Sequence, residues 1–262
     1  NGYINMYDNA ALTTISGLAN INPATIANLY LYNNPLLATC NVASVCSYLT
    51  NSGAGNYIFG NALGCQNATQ VLVSCGTPQN CTDVTLSTQQ QIDEYPYNYG
   101  CSTITGTLTI YSGSDITNLN GLAQITAVNN LTVSDVANLV DFSGLNNVTG
   151  ITGNLTIQSN TAASITGFPS LTSVGGNFNV TGTTNLISIN GFGNLSSVGG
   201  QFNLSGNTAL ANLPDWSSLT TIGGNFSIDN NAALASLGNL NNINSINGGL
   251  SIHNNPSLTN VT

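Results

Sequence analysis

The chain contains no lysine and no arginine. Without cationic side chains it cannot neutralise phosphates, so nucleic acid is excluded as a partner and anionic membrane surfaces are disfavoured. It also offers no trypsin-type cleavage point. Charged residues make up only 3% of its 262 positions, all of them Asp or Glu, for a formal charge of −9. Its surface must therefore be made polar by Asn, Ser, Thr and Gly. Histidine is almost as scarce. His253 is the single copy and has no cysteine near it in sequence, so neither a metal site nor a Ser-His-Asp relay is expected; it reads as an exposed turn residue. Asp8, Asp215 and Asp229 also read as turn residues, because no calcium-loop motif surrounds them. No nucleophile-elbow, phosphate-loop or paired-acid motif occurs, and the adjacent Asp93 and Glu94 read as a helix-face pair. Catalytic residues, metals and cofactors are therefore not expected, and the chain is read as a non-enzyme. No apolar run reaches the roughly 18 residues of a membrane span, so direct membrane insertion is not expected. No signal peptide is visible, which suggests a mature or excised piece.

What the chain has instead is a period. The stretch from Gly224 to Leu234 recurs from Gly249 and is preceded by a copy from Gly200. First strand positions fall at Leu108, Leu131, Leu155, Phe178, Phe202, Phe226 and Leu250, at spacings of 23 or 24. A second apolar column runs Val128, Ile151, Val174, Val198, Ile222, Ile246. A Gly-Leu or Gly-Phe step recurs at Gly121, Gly144, Gly167 and Gly191, and Asp215-Trp216 takes that place next. A fixed period of this length predicts a solenoid: right-handed coils of about 24 residues, each one strand of a parallel sheet. Alternation points Phe226 and Ile228 inward and Ser227 outward. Asn160, Asn207, Asn231 and Asn255 sit at one corner, where an Asn side chain can bond turn backbone of its own and neighbouring coils.

Residues 1–37 hold two further coils, Ile4-Asn5-Met6 and Leu29-Tyr30-Leu31, with Asn9 and Asn34 at the corner. Residues 38–75 break the period. Asn41 to Leu49 reads as a short helix capped by Asn41, and Asn67 could cap a second through Val73. Cys40, Cys46, Cys65 and Cys75 interleave with these helices and read as a disulfide-stapled C-terminal cap, of three connectivities that the sequence alone does not choose between. Residues 76–80 are a linker. Ser87 reads as the N-cap of a helix from Thr88 to Tyr95, stopped before Pro96. Cys81 and Cys101 flank it and are expected to pair. The expected organisation is 1–75 as final coils and cap of one solenoid, 76–80 as linker, and 81–262 as N-terminal cap and seven-coil array of the next. Six cysteines without a metal-type CxxC pair imply disulfides and an extracellular address, cell surface or secreted.

The pattern L-x-I-x-x-N-x-x-L, with G-L and T-x-I-G-G, resembles the leucine-rich, receptor-L-domain-like repeats of secreted bacterial surface proteins. It is most similar to those of Bacteroidota exported by the type IX route. Leu31-Tyr32-Asn33-Asn34-Pro35 through Cys40, with Cys46-Ser47-Tyr48-Leu49, Gly64-Cys65 and Cys75, resembles their terminal module. Leu86-Ser87-Thr88-Gln89, with Ile92-Asp93 and Gly100-Cys101, resembles the module that opens their array. By analogy with such caps the pairings are Cys40–Cys65 and Cys46–Cys75. The resemblance implies an adhesive or structural scaffold. The module order is permuted, with the closing cap first and the array second, and basic residues are absent.

That order leaves the coils at both ends open, which implies that the chain's partner is itself, head-to-tail, as a subunit of an extracellular filament or surface fibre. The assembly residues would be Ile4, Met6 and Leu12 at one end and Leu250, Ile252 and Leu258 at the other. Direct joining leaves the spacing about eight residues short of a full coil. The alternative is a glycan-binding cell-surface adhesin with carbohydrate held by Tyr30, Tyr95, Tyr97 and Tyr99, since aromatics with a polar tip suit sugar platforms and interfaces. The outward stripe from Thr109 to Ser251 reads as a solvated sheet face. Candidate glycosylation sites are Asn67, Asn130, Asn154, Asn179, Asn203 and Asn225, together with sequons at Asn80, Asn147, Asn194 and Asn260; chance alone yields about as many in a chain this rich in Asn, Ser and Thr.

Overall fold

The computed structural model describes residues 2–51, 55–79 and 81–261. Asn80, a linker residue and sequon, lies outside them. The chain divides into two compact units: Asn1–Asn80 with Glu94–Cys101, and Cys81–Asp93 with Ser102–Thr262.

The first unit is built on a parallel sheet in the order β1 (Gly2–Tyr7), β2 (Ile26–Tyr32), β3 (Asn56–Phe59). Alternation works as expected, for Leu29, Leu31 and Ile58 are buried while their strand neighbours face outward. β3 is a strand that the period does not announce. It pairs Tyr30 with Tyr57 and Leu31 with Ile58, although helix α1 (Ala43–Asn51) lies between β2 and β3 and stretches the spacing to 27. The broken period thus lengthens a repeat without ending the sheet. Helix α2 (Ala68–Ser74) follows, and the Gln70 amide donates to Asn67 Oδ1 at 2.9 Å, the expected cap. Asn41 is different. Its side chain donates to the Ser74 carbonyl at 3.1 Å, and α1 starts two residues later than the sequence suggests. Cys40 bonds Cys65, and Cys46 on α1 bonds Cys75 at the end of α2.

The second unit carries 13 parallel strands among the described residues. Eight stack as one ladder: β4 (Val84–Leu86), β5 (Thr103–Tyr111), β6 (Ala127–Ser134), β8 (Leu155–Gln158), β10 (Phe178–Thr181), β12 (Phe202–Ser205), β14 (Phe226–Asp229) and β16 (Leu250–His253). The expected first positions sit opposite one another, Leu155 on Phe178 on Phe202 on Phe226 on Leu250. The second column forms its own short ladder through β7 (Gly150–Ile151), β9 (Ser173–Val174), β11 (Ser197–Val198), β13 (Thr221–Ile222) and β15 (Ser245–Ile246). β4 is an addition, since Val84-Thr85-Leu86 carries the same alternation and pairs with Leu108 to Ile110. Like residues stack inside: Phe178 on Phe202 at 4.7 Å and Phe202 on Phe226 at 5.0 Å, with Trp216 edge-on to Phe202 at 5.5 Å. Each such burial contributes about 1.5–3 kcal/mol. The Gly-Gly pairs let neighbouring repeats approach closely. A Cβ on Gly199 would stand 2.1 Å from the Gly175 carbonyl oxygen, and the Gly200 amide bonds the Gly176 carbonyl at 2.8 Å.

The helix expected from Thr88 to Tyr95 is two. α3 (Gln89–Asp93) belongs to the second unit and α4 (Tyr95–Asn98) to the first. Thr88, rather than Ser87, accepts from the Gln91 amide, at 3.2 Å. Pro96 stops nothing, because it falls in the first turn of α4, where no amide is needed.

The corner asparagines solve a problem that every repeat poses. Each turn follows a residue in the left-handed region, such as Asn230 (φ 59°) or Asn254 (φ 55°). The next residue's amide then points away from its own repeat. The Asn207 amide donates to Asn231 Oδ1 at 3.1 Å, and Asn231 Nδ2 donates back to the Leu204 carbonyl at 3.0 Å. Asn160 and Asn255 do the same, as does Asn34 with Asn61 in the first unit. Thr183 occupies this position in one repeat. It is fully buried, and its hydroxyl has no partner. Thr183→Asn should therefore raise stability by about 1 kcal/mol, while Asn207→Ala should cost about 2–4 kcal/mol by orphaning buried backbone groups. Urea unfolding midpoints check both; a Thr183→Asn chain no more stable than the parent would show that the corner is not a hydrogen-bond device.

Candidate functional site

Two edge strands carry four of the assembly residues singled out by sequence, and one sheet face carries Tyr30; the other candidates lie elsewhere in the two units. At the edge formed by β1, Ile4, Met6 and Leu12 are partly buried against the first unit's core. Ile4 joins Gly2, Tyr3, Ile21, Thr25 and Ile26 around an open apolar hollow of about 240 Å³. At the edge formed by β16, Leu250 is 61% exposed and Ile252 is half-buried. They line a second hollow of about 310 Å³ with Phe226, Leu237, Ile243 and Ile246. Leu258 is half-buried on the same repeat. Both edges thus present the inward residues of a repeat with apolar surface still accessible.

The outward face of β1–β3 is aromatic. Register places Tyr7, Tyr32 and Phe59 in one row and Tyr30 beside Tyr57 in the next. The rings stack, Tyr7 on Tyr32 at 4.9 Å and 6°, Tyr32 on Phe59 at 5.0 Å and 14°, Tyr30 on Tyr57 at 5.2 Å and 12°. Desolvation, then the neighbouring Tyr7 and Asp8, raises the Tyr32 pKa. Of the tyrosines expected to hold sugar, only Tyr30 belongs to this face. Tyr95 is a correction: it is fully buried, its hydroxyl donates to the Cys101 carbonyl at 3.1 Å, and Tyr99 stacks on it at 5.2 Å. A buried ring presents no face to a ligand. Tyr97 is 37% exposed on α4 and stands apart from those rows. The sequence signal that could have found Tyr7, Tyr57 and Phe59 is their place in the alternation, once β3 is known to be a strand.

The candidate glycosylation sites divide by the use of their amides. Asn67 is occupied as a helix cap. Asn130, Asn154 and Asn225 each accept, through Oδ1, the backbone amide 24 or 23 residues on, those of Asn154, Asn177 and Gly249. Asn179 and Asn203 are half-buried in the outward stripe. His253 is a strand residue rather than a turn residue, paired with Asp229 in register and by a 3.2 Å contact from Nε2 to Oδ1. Ser227 and Ser251 also bond Asp229. The carboxylate stands at the centre of this group, whereas a nucleophilic relay needs the imidazole there. Cys81 and Cys101 are both disulfide-bonded, and no cysteine among the described residues is free.

The model of the Receptor L domain family matches residues 147–262, the stretch that holds β7 to β16. That part of the chain is receptor-L-domain-like. No curated protein and no solved structure matches the chain. The match and the disulfides fit an extracellular location. Among the described residues no helix is long and apolar enough to cross a membrane.

Burial, and next the Tyr99 neighbour, raises the Tyr95 pKa well above its ordinary value of 10.0. The neutral phenol is the form the fold holds, so its contribution is complete below pH 10.0 and is lost as pH rises beyond it. Tyr95→Phe should lower stability by about 1 kcal/mol at neutral pH through the lost hydrogen bond. The gap between parent and variant should close above pH 10.0, because the variant has no phenol to deprotonate on unfolding. Thermal midpoints of both proteins from neutral to alkaline pH check this.

Proposed function

We propose that the chain is a non-enzymatic structural subunit of an extracellular filament or surface fibre. In this reading it is a right-handed β-solenoid with coils of about 24 residues, and both edge strands are covered by repeats of the same kind. The resemblance of its repeats and caps extends the reading to a secreted surface protein of the type IX-exported kind.

The observation that carries the proposal is the match between the two edges. β1 turns Ile4 and Met6 inward, and β16 turns Leu250 and Ile252 inward. A left-handed residue follows each, Asp8 at φ 58° and Asn254 at φ 55°, and then the corner asparagine, Asn9 or Asn255. Asn34 Nδ2 uses three acceptors: the Tyr32 and Asn61 oxygens and the Met6 carbonyl of the preceding strand. Asn9 Nδ2 uses the corresponding first two, Tyr7 and Asn34. Its third acceptor would be the carbonyl of a strand placed before β1, which in a β16–β1 pairing is that of Ile252. The same pairing sets the Asn255 amide against Asn9 Oδ1. Ladder bonds and apolar stacking would then pass from the second unit of one chain into the β1–β3 sheet of the next, a continuity suited to a fibre.

Negative-stain imaging and sedimentation of the purified chain should show end-to-end rods that lengthen with concentration. Ile4→Asp and Leu250→Asp, each placing a charge in an apolar hollow, should weaken association more than tenfold. Particles of one size at every concentration would overturn the reading. The mass of the intact native molecule assigns the covering repeats: a value near 26.9 kDa to other copies, a larger one to the same polypeptide.

A further inference from the structure

The outward positions of the two sheets offer an internal comparison. In the second unit the ladder places Thr109, Thr132, Thr156, Asn179, Asn203 and Ser227 on its outer face. Small polar residues there satisfy the fold, and Tyr111 at the end of β5 is the single ring among the outward positions of these strands. In the first unit the same kind of position holds Tyr7, Tyr30, Tyr32, Tyr57 and Phe59. The repeat does not need rings at these places, and exposed aromatic surface gathered on one face marks a contact site.

Stacking decides which ring surfaces are open. In the row Tyr7–Tyr32–Phe59 the middle ring is covered on both faces. Phe59 ends that row on β3, and Tyr57 ends the row that begins with Tyr30. Two residues apart on one strand, their open faces lie about 7 Å from each other. They are 48% and 56% exposed. Asn5 and Asn28 lie on the same outward face and supply carboxamides.

Charge selects the ligand. The chain has no cation to hold an anionic polymer. Of its nine acidic residues only Asp8 falls within the first 80 positions, and Asp8 accepts from Asn33 Nδ2 at 3.1 Å. The face is therefore close to neutral and matches neither an acidic nor a strongly basic partner. An aromatic face is electron-rich, and the polarised C–H groups of a saturated sugar ring lie flat on it, while phenols and carboxamides bond its hydroxyls. We infer that the outer face of β1–β3 is a binding site for a neutral polysaccharide, with Tyr57 and Phe59 as adjacent stacking platforms for successive sugars. This goes beyond the fibre reading and does not depend on it.

The test uses the whole chain. Affinity electrophoresis and titration calorimetry with soluble neutral glucan, mannan and galactan should show retardation by at least one of them, and none by anionic alginate. Tyr57→Thr and Phe59→Thr install the residue type of the second unit's outward stripe and should each weaken binding roughly tenfold. Thr132→Ala should leave it unchanged. Circular dichroism and thermal midpoints confirm that the variants fold, and Tyr57→Trp, which keeps a ring at the site, should retain binding. Failure of all three neutral polymers to bind would overturn the assignment. So would binding that survives the double variant within twofold. Tighter binding of oligolysine, lost in the same double variant, would give the face to a basic protein partner and overturn it too.

Discussion

In-register parallel stacking is the constraint on which everything else in this molecule depends. Each strand bonds the strand one repeat away, so each side chain meets the residue at the same place in the next repeat. Phe178 lies on Phe202 and Phe202 on Phe226; Gly199 faces Gly175 across a gap that no Cβ could enter. At the corner a buried backbone amide is therefore met by the side chain at the same place in the next repeat. Asparagine does this because one side chain offers both an acceptor for the amide before it and donors for a carbonyl behind it. Where Asn holds the corner the exchange repeats, from Asn207 to Asn231 to Asn255; Val136 has no carboxamide to join it, and the Thr183 hydroxyl there has no partner.

The same constraint forbids like charges at most positions. Charges stacked at strand spacing would repel along the whole ladder, and the sequence avoids them by using carboxamides and hydroxyls. Asp229 is the exception on the main ladder, and it is surrounded by Ser227, Ser251 and His253. Aromatic rings tolerate stacking well. That is why a tyrosine and phenylalanine face can exist on the first unit without disturbing the register, and why its ring faces are open only where a row ends.

Edges follow from the same logic. On β1 the Asn9 side chain donates to Tyr7 and Asn34, whereas the Asn34 side chain also donates back to Met6 of the strand before it. In the fibre proposal such an edge is met by another repeat of the same kind. The fibre proposal draws on that complementarity between β1 and β16, whereas the sugar proposal draws on a face perpendicular to it. The two surfaces are separable because strands alternate their side chains.

The sequence by itself determined the period, the inward columns from Leu108 to Leu250, the corner asparagines and the helical, cysteine-rich character of the segment after β2. These are local and one-dimensional signals: alternation and spacing repeat along the chain, and stacking only copies them into space. The tertiary structure decided what falls outside the period. Only pairing shows that Asn56–Phe59 is a strand, because α1 stretches its repeat, and that Val84–Leu86 begins the second ladder. The rows Tyr7–Tyr32–Phe59 and Tyr30–Tyr57 exist only once β3 is placed. Tyr95 looks like its neighbours Tyr97 and Tyr99 in sequence, yet it is wholly buried and bonded to Cys101. Burial of an irregular segment depends on what packs over it, and no spacing rule carries that information.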